Sequence, residues 1–151
     1  MHGQPALPII LINGYPDVPT SVVANKLDDQ ITIWDVKRLL GLGYREDGVP
    51  VAQSKDSFNT CYVFTDFIVD DLNGQITMEK YSEMAKNRGC PLIVINLVCH
   101  PGERRGRTPM WRGPNGLFWT ELNVSTESAN SMATKIAGHA TLEAFSFWHC
   151  S

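Results

Sequence analysis

Two short runs of apolar residues constrain this chain more than any other feature: residues 7–12 (LPIILI) and 91–98 (PLIVINLV). Neither run alternates. A strand with one wet face shows apolar and polar residues in turn, whereas a strand covered on both faces has no such need. Both runs carry β-branched residues, and both are far shorter than the roughly 20 residues that span a bilayer. They read as interior strands of a sheet with helices on each side. Residues 60–67 (TCYVFTDF) give the same signal, and residues 117–124 and 31–34 give weaker forms of it.

Helix-period stretches separate these runs. A short helix is expected over residues 20–27, with Val22, Val23 and Leu27 on one side, and a helical turn over 35–40 ending at Gly41. A longer helix is expected over 77–88, capped by Thr77, striped by Met78, Tyr81, Met84 and Ala85, and stopped at Gly89. Ser125 is expected to cap a last helix with the stripe Ala129, Met132, Ala133, Ile136, Ala137 and Ala140. Residues 41–59 and 100–116 are polar, or rich in Gly, Pro and Arg, and read as loops. Alternating strands and helices are the pattern of βαβ units. The expected fold is α/β: one domain over 1–151, a three-layer parallel sheet with helices on both faces. Right-handed crossovers then bring the strands' C-terminal ends to one edge, where such sheets bind ligands. The residues expected there are Asn13-Gly14, Trp34-Asp35, Thr65-Asp66, Cys99-His100 and Asn123.

Charge narrows the partners. The chain has 151 residues, with 13 Lys+Arg against 16 Asp+Glu and a net charge of −3. Nucleic acid and anionic membranes both call for a basic surface, so neither is expected as a partner. The N-terminus has no basic segment ahead of a long apolar run, so no signal peptide is read. Four cysteines without a CxxC fit reduced thiols, and a cytoplasmic location is expected.

The segment joining the first strand to the first helix is Asn13-Gly14-Tyr15-Pro16-Asp17-Val18-Pro19-Thr20-Ser21. A phosphate-binding loop of pattern G-x-x-x-x-G-K-[ST] belongs at this place. Gly14 fits its first position and Ser21 its last, but Pro19 stands for the second Gly and Thr20 for the Lys. With LPIILINGYP before the helix, the segment resembles the start of small P-loop kinases of the nucleotide-kinase and chloramphenicol-phosphotransferase type. In those proteins the loop reads close to NGYPGVGKST. YVFTDF (62–67), YSEMAKNRGCPLIVINLVCH (81–100) and ELNVSTESANSMATKIAGH (121–139) resemble the same family. The likeness covers most of the chain outside about 41–59, which is short for the acceptor-site helices of such kinases.

The resemblance implies a single kinase-like domain, shortened in the middle, with a lid-like loop near 100–117. It makes residues 14–21 the nucleotide-binding segment, and Ser21 and Asp66 the candidates for holding Mg. Asp35 becomes the candidate base for an acceptor hydroxyl. Arg104, Arg105 and Arg107, with Arg112 beside them, become lid arginines that steady a transferring phosphate. Each has a plainer reading: a structural turn shaped by Tyr15-Pro16 and capped by Asp17 or Thr20, a solvated Asp, a solvated basic loop.

Physical chemistry says what the loop's departures do. Such loops converge backbone N–H groups and a helix N-terminus on phosphate oxygens. Pro19 removes one N–H and fixes φ. Thr20 supplies no cation. Asp17 sets a carboxylate where polyphosphate approaches, and two unit charges about 5 Å apart at an effective dielectric near 20 repel by roughly 3 kcal/mol. That is about a hundredfold in affinity. The favoured expectation is a non-catalytic or strongly impaired kinase-like protein acting as a binding or accessory domain, with no cofactor. The alternative is an ATP-dependent phosphotransferase for a small hydroxylated molecule or nucleotide, using ATP and Mg.

Other groups point elsewhere. The arginine cluster suits a small anionic ligand. Cys99-His100 and His149-Cys150 lack the spacing of a structural zinc site, and Cys99 has no positioned base evident in sequence. The aromatic end, residues 145–149, is expected to pack back on the sheet or to form a homodimer or partner surface.

Overall fold

The computed structural model describes residues 6–15, 18–39, 58–98, 111, 118–124 and 126–150. Five strands form one sheet: β1 (Ile9–Gly14), β2 (Asp35–Leu39), β3 (Thr60–Asp66), β4 (Leu92–Val98) and β5 (Phe118–Asn123). Three helices accompany them: α1 (Thr20–Gln30), α2 (Leu72–Arg88) and α3 (Ala129–Cys150). The strand order is β2-β3-β1-β4-β5, and every pairing is parallel. Every residue of β1 and β4 is buried, as continuous apolar runs covered on both faces require.

The two faces carry separate cores. On one, Ile10, Ile12, Val63 and Ile95 meet Val23 and Leu27 of α1 and Met132, Ala133 and Ile136 of α3. On the other, Ile9, Leu11, Phe64 and Val94 meet Met78, Tyr81 and Met84 of α2. Successive residues of a strand point to opposite faces, so each interior strand feeds both cores. β1 is therefore central and shielded from both sides.

Several expected boundaries move. The second strand is Asp35–Leu39, not residues 31–34 followed by a helical turn. α1 runs on to Gln30. α2 starts at Leu72 rather than at Thr77, and its cap is Asp71, whose carboxylate accepts the Gly74 N–H at 2.8 Å. Gly74 is there because the chain crosses closely: a Cβ at that position would lie 1.8 Å from the Val69 carbonyl oxygen. Gly89 ends α2 at φ 79°, as expected of a left-handed stop. α3 includes the aromatic end in its last turns. At its start the Ser128 hydroxyl accepts the Ser131 N–H at 3.1 Å, while Ser125 lies outside the described residues. Among the described residues no helix is long and apolar enough to cross a membrane.

At the N-terminal edge of the sheet, Arg88 is almost fully buried. Its guanidinium donates to the carbonyls of Leu7 (3.1 Å) and Thr60 (2.5 Å) and lies over the rings of Phe58 and Tyr62. A buried cation is tolerated when its donors are met and aromatic faces surround it.

Candidate functional site

The C-terminal edge gathers the ends of β1, β3 and β4. β1 ends at Asn13-Gly14, and the chain reaches α1 by residue 20. Asn13 is in register with Asp66 of β3 on one side and Asn96 of β4 on the other. Continuous burial along β1 delivers the residues after Ile12 to this edge, so the local sequence fixes where the loop begins.

The loop folds on itself. The Val18 N–H donates to the Tyr15 carbonyl at 2.9 Å, and the Thr20 N–H donates to the Val18 carbonyl at 2.8 Å. Tyr15 and Val18 are buried and belong to the core beneath α1. Pro19 occupies the cap position of α1 with φ −79° and ψ 60° and brings no capping side chain. Thr20 is the first helical residue, so it does not serve as the cap. Gly14 sits against the far side of the loop: a Cβ there would lie 2.8 Å from Thr20 Cγ2 and 3.3 Å from Val18 Cγ1. Ser21 is exposed on the first turn of α1.

Asp66 ends β3 beside this loop. Its Oδ1 accepts the Phe67 N–H at 2.7 Å and its Oδ2 accepts the Tyr81 hydroxyl at 2.9 Å. The Phe67 ring meets the Tyr15 ring at 5.4 Å, joining the two strand exits. Both carboxylate oxygens are thus held by the protein. Among the described residues no group of three or more His, Cys, Asp or Glu is placed to hold a metal ion.

A second, buried polar group sits at the same edge. Asn13 Oδ1 accepts the Ile68 N–H at 2.7 Å, and its Nδ2 donates to the Ile68 carbonyl and to Asn96 Oδ1, each at 3.2 Å. Asn96 Nδ2 donates to the Trp111 carbonyl at 2.8 Å, and the Trp111 N–H donates to Ile68 at 3.0 Å. Sequence reading missed this set. Its signal was present: Asn13 in IILIN and Asn96 in LIVIN each interrupt an otherwise apolar strand, and a polar residue buried there needs partners.

The structure thus brings Gly14, Tyr15, Val18, Pro19, Thr20, Ser21 and Asp66 to one edge. Asp35 is not among them. It opens β2 instead of following a strand end, it pairs with Thr60 at the start of β3, and it accepts the Thr60 hydroxyl at 3.4 Å. That is the opposite edge of the sheet, because all strands run the same way. Pro16, Asp17, Arg104, Arg105, Arg107, Arg112 and Cys99-His100 lie outside the described residues.

Two other features stand apart from this edge. A groove of about 460 Å³ lies between the end of α1 and α3, lined by Ile31, Ile33, Gly138, Leu142 and Phe145 among others. The aromatic end divides there: Phe145 faces the groove, whereas Trp148 donates to the Ala6 carbonyl at 3.2 Å and meets Trp34 edge-on. Cys61 and Cys90 are buried free thiols. Burial raises both: Cys90 is pushed up to about 11, with the Arg88 charge opposing the rise, and Cys61 is pushed higher still.

No family model and no curated protein matches the chain. Solved structures do. The protein APE1195 is 13% identical over 92% of this chain and 97% of its own, with a TM-score of 0.59. A sugar kinase from Janibacter sp. HTCC2649 is 7% identical over 93% of this chain and 96% of its own, with a TM-score of 0.56. A de novo designed protein of P-loop NTPase fold is 13% identical over 95% of this chain and 96% of its own, with a TM-score of 0.51. At such identities the likeness speaks to fold alone: the chain has a P-loop NTPase-like, kinase-like α/β fold.

Proposed function

We propose that the chain is a non-catalytic member of this fold, whose loop after β1 is a structural turn with a degenerate phosphate-binding pattern, and that it serves as a binding or accessory domain. One observation carries the reading. The amides that a phosphate cradle keeps free are bonded inside the loop here, those of Val18 and Thr20, while Pro19 between them has none. Tyr15 and Val18 fill the space beneath, and Gly14 is closed off by Thr20 and Val18. Opening the cradle would break two hydrogen bonds and bring two apolar side chains out of the core. Exposing them costs about 3 kcal/mol or more in lost burial.

On this reading the loop does not hold Mg-ATP. The resemblance to chloramphenicol-phosphotransferase-type kinases then describes ancestry rather than present chemistry. A small anionic ligand on the arginines at 104–107 remains part of the proposal, as does a protein partner at the aromatic end.

Titration calorimetry with Mg-ATP tests the reading, the expected result being no binding at millimolar nucleotide. Micromolar binding that is lost in Ser21→Ala would establish the phosphotransferase alternative. In the converse experiment Asp17→Gly, Pro19→Gly and Thr20→Lys are combined. Gain of nucleotide binding by that variant supports a degenerate cradle, and its absence points to a site altered by the short middle segment as well.

A further inference from the structure

A surface helix carries its charges on the side away from the core. α3 departs from that. Its 22 residues hold two charged side chains besides the histidines, Lys135 and Glu143, and Lys135 is paired with Glu127. Its outer side shows Gly138, Leu142 and Phe145 instead, all exposed. The groove of about 460 Å³ beside them reaches the end of α1, and none of its lining residues is charged. Thr134 and Thr141 in its wall give their hydroxyl hydrogens to the Asn130 and Ala137 carbonyls of α3 itself, at 2.9 and 2.7 Å.

The open apolar area is that of an interface centre. Ile33, Leu142 and Phe145 are 63%, 67% and 44% exposed. At roughly 200 Å² for a large apolar side chain, they leave about 350 Å² uncovered. A homodimer interface of standard size buries about 800 Å² on each partner, of which roughly 500 Å² is apolar. These three side chains supply most of that share, and the uncharged Gln30, Thr32 and Thr134 border them as a polar rim does.

The surface is also complementary to itself. Leu142 projects, while Gly138, one turn earlier on the same side, leaves a gap in which a Cβ meets nothing within 4 Å. In a two-fold pair of antiparallel α3 helices centred at the level of Ala140, residue 142 of each copy lies opposite residue 138 of the other. Each Leu142 then fills the other copy's gap. Lys135 comes level with Phe145 and Glu143 with Ala137, so no like charges meet. A foreign helix fills the gap but offers Leu142 no matching one, whereas a second copy answers both at once. We propose that the outer side of α3 is a homodimer interface in which Leu142 of one copy occupies the gap at Gly138 of the other. This names the partner of the aromatic end and rests on that part of the reading above; the loop after β1 takes no part in it.

Sedimentation equilibrium of the full chain in reducing buffer, from about 1 to 200 μM, tests it, with a dissociation constant in the micromolar range expected. Gly138→Glu fills the gap and sets a carboxylate under Leu142, and Leu142→Ala removes the projecting side chain. Each should weaken dimerisation at least about tenfold. A chain that stays monomeric at about 200 μM overturns the proposal and leaves the groove to a different partner. A dimer of unchanged strength in either variant overturns it too, because the interface then lies elsewhere. Leu142→Ala decides if Gly138→Glu fails to fold, since it only trims an exposed side chain. Calorimetry with Mg-ATP is independent of both variants: a monomeric chain leaves the reading of the loop standing, and nucleotide binding leaves the dimer standing.

Discussion

Replacing Gly14 by Ala probes the closed loop directly. Gly14 does not have positive φ, so alanine suffers no backbone strain there, and the whole effect comes from what its Cβ touches. The nearest atoms are Thr20 Cγ2 at 2.8 Å, Val18 Cγ1 at 3.3 Å and the Leu97 carbonyl oxygen at 3.5 Å. Thr20 and Val18 are both β-branched, stiff at χ1, and fixed by the helix start and the core, so neither swings aside freely. Overpacking of this kind costs about 1–3 kcal/mol, and two tight contacts place Gly14→Ala near 2 kcal/mol. Thr20→Ser removes Cγ2 and with it the worse contact. On that background Gly14→Ala should cost about 1 kcal/mol less, a coupling within the range that contacting pairs show in double-mutant cycles. Urea unfolding of the four proteins reads the effect. In thermal unfolding the single variant should melt about 4–8 °C lower, at 2–4 °C per kcal/mol for a chain of this size. A closed loop is refuted if Gly14→Ala costs less than about 0.5 kcal/mol, or if the two substitutions add within measurement error of about 0.3 kcal/mol. Either result would mean that Thr20 does not close over Gly14 and that the loop stands open.

Two other glycines should respond in opposite directions: Gly74→Ala forces a Cβ into the Val69 backbone and should cost more than about 3 kcal/mol, whereas Gly138→Ala meets nothing within 4 Å on α3 and should stabilise by about 0.5–1 kcal/mol, both by urea unfolding. Arg88→Met keeps much of the stem's volume but leaves the Leu7 and Thr60 carbonyls without their donor, an expected loss of about 2–4 kcal/mol in the same assay. Burial pushes Cys90 up to about 11 and Cys61 higher still, so the unfolded chain releases both protons first; stability should hold below pH 9 and decline above it, the Cys90 share being complete by about pH 11. Cys90→Ser should make that decline shallower and leave the Cys61 share, and a decline of unchanged size in the variant would show that Cys90 does not contribute.

What the sequence shows depends on how many neighbours a segment needs. β1, β3 and β4 were legible because an interior strand buries both faces and writes that burial as an unbroken apolar run. Asp35–Leu39 was not: among the described residues β2 pairs with β3 alone, and its residues DVKRL carry no such run, whereas the stretch just before it is more apolar. The start of α2 was hidden for a related reason. Leu72 and Ile76 are exposed, so the first turns show no stripe, and Gly74 reads as a breaker until Val69 is seen pressed against it. That the loop follows β1 and that Asp66 ends β3 was legible because each comes directly after an apolar run. Asp35 was misplaced because its strand was.

The chain's own letters settled that there is a sheet buried on both sides, that residue 14 begins a turn at its edge, and that this turn has a proline and a threonine where a phosphate loop has glycine and lysine. These are local properties, set by runs of side chains and by single covalent facts such as the missing proline N–H. Only the tertiary structure decided that β1 lies between β3 and β4, that Val18 and Thr20 turn their amides inward, and that Asn13 meets Asn96 beneath Trp111. Each of those depends on residues tens of positions apart finding one another, and such pairings are chosen by the burial of the whole core rather than by any stretch of it.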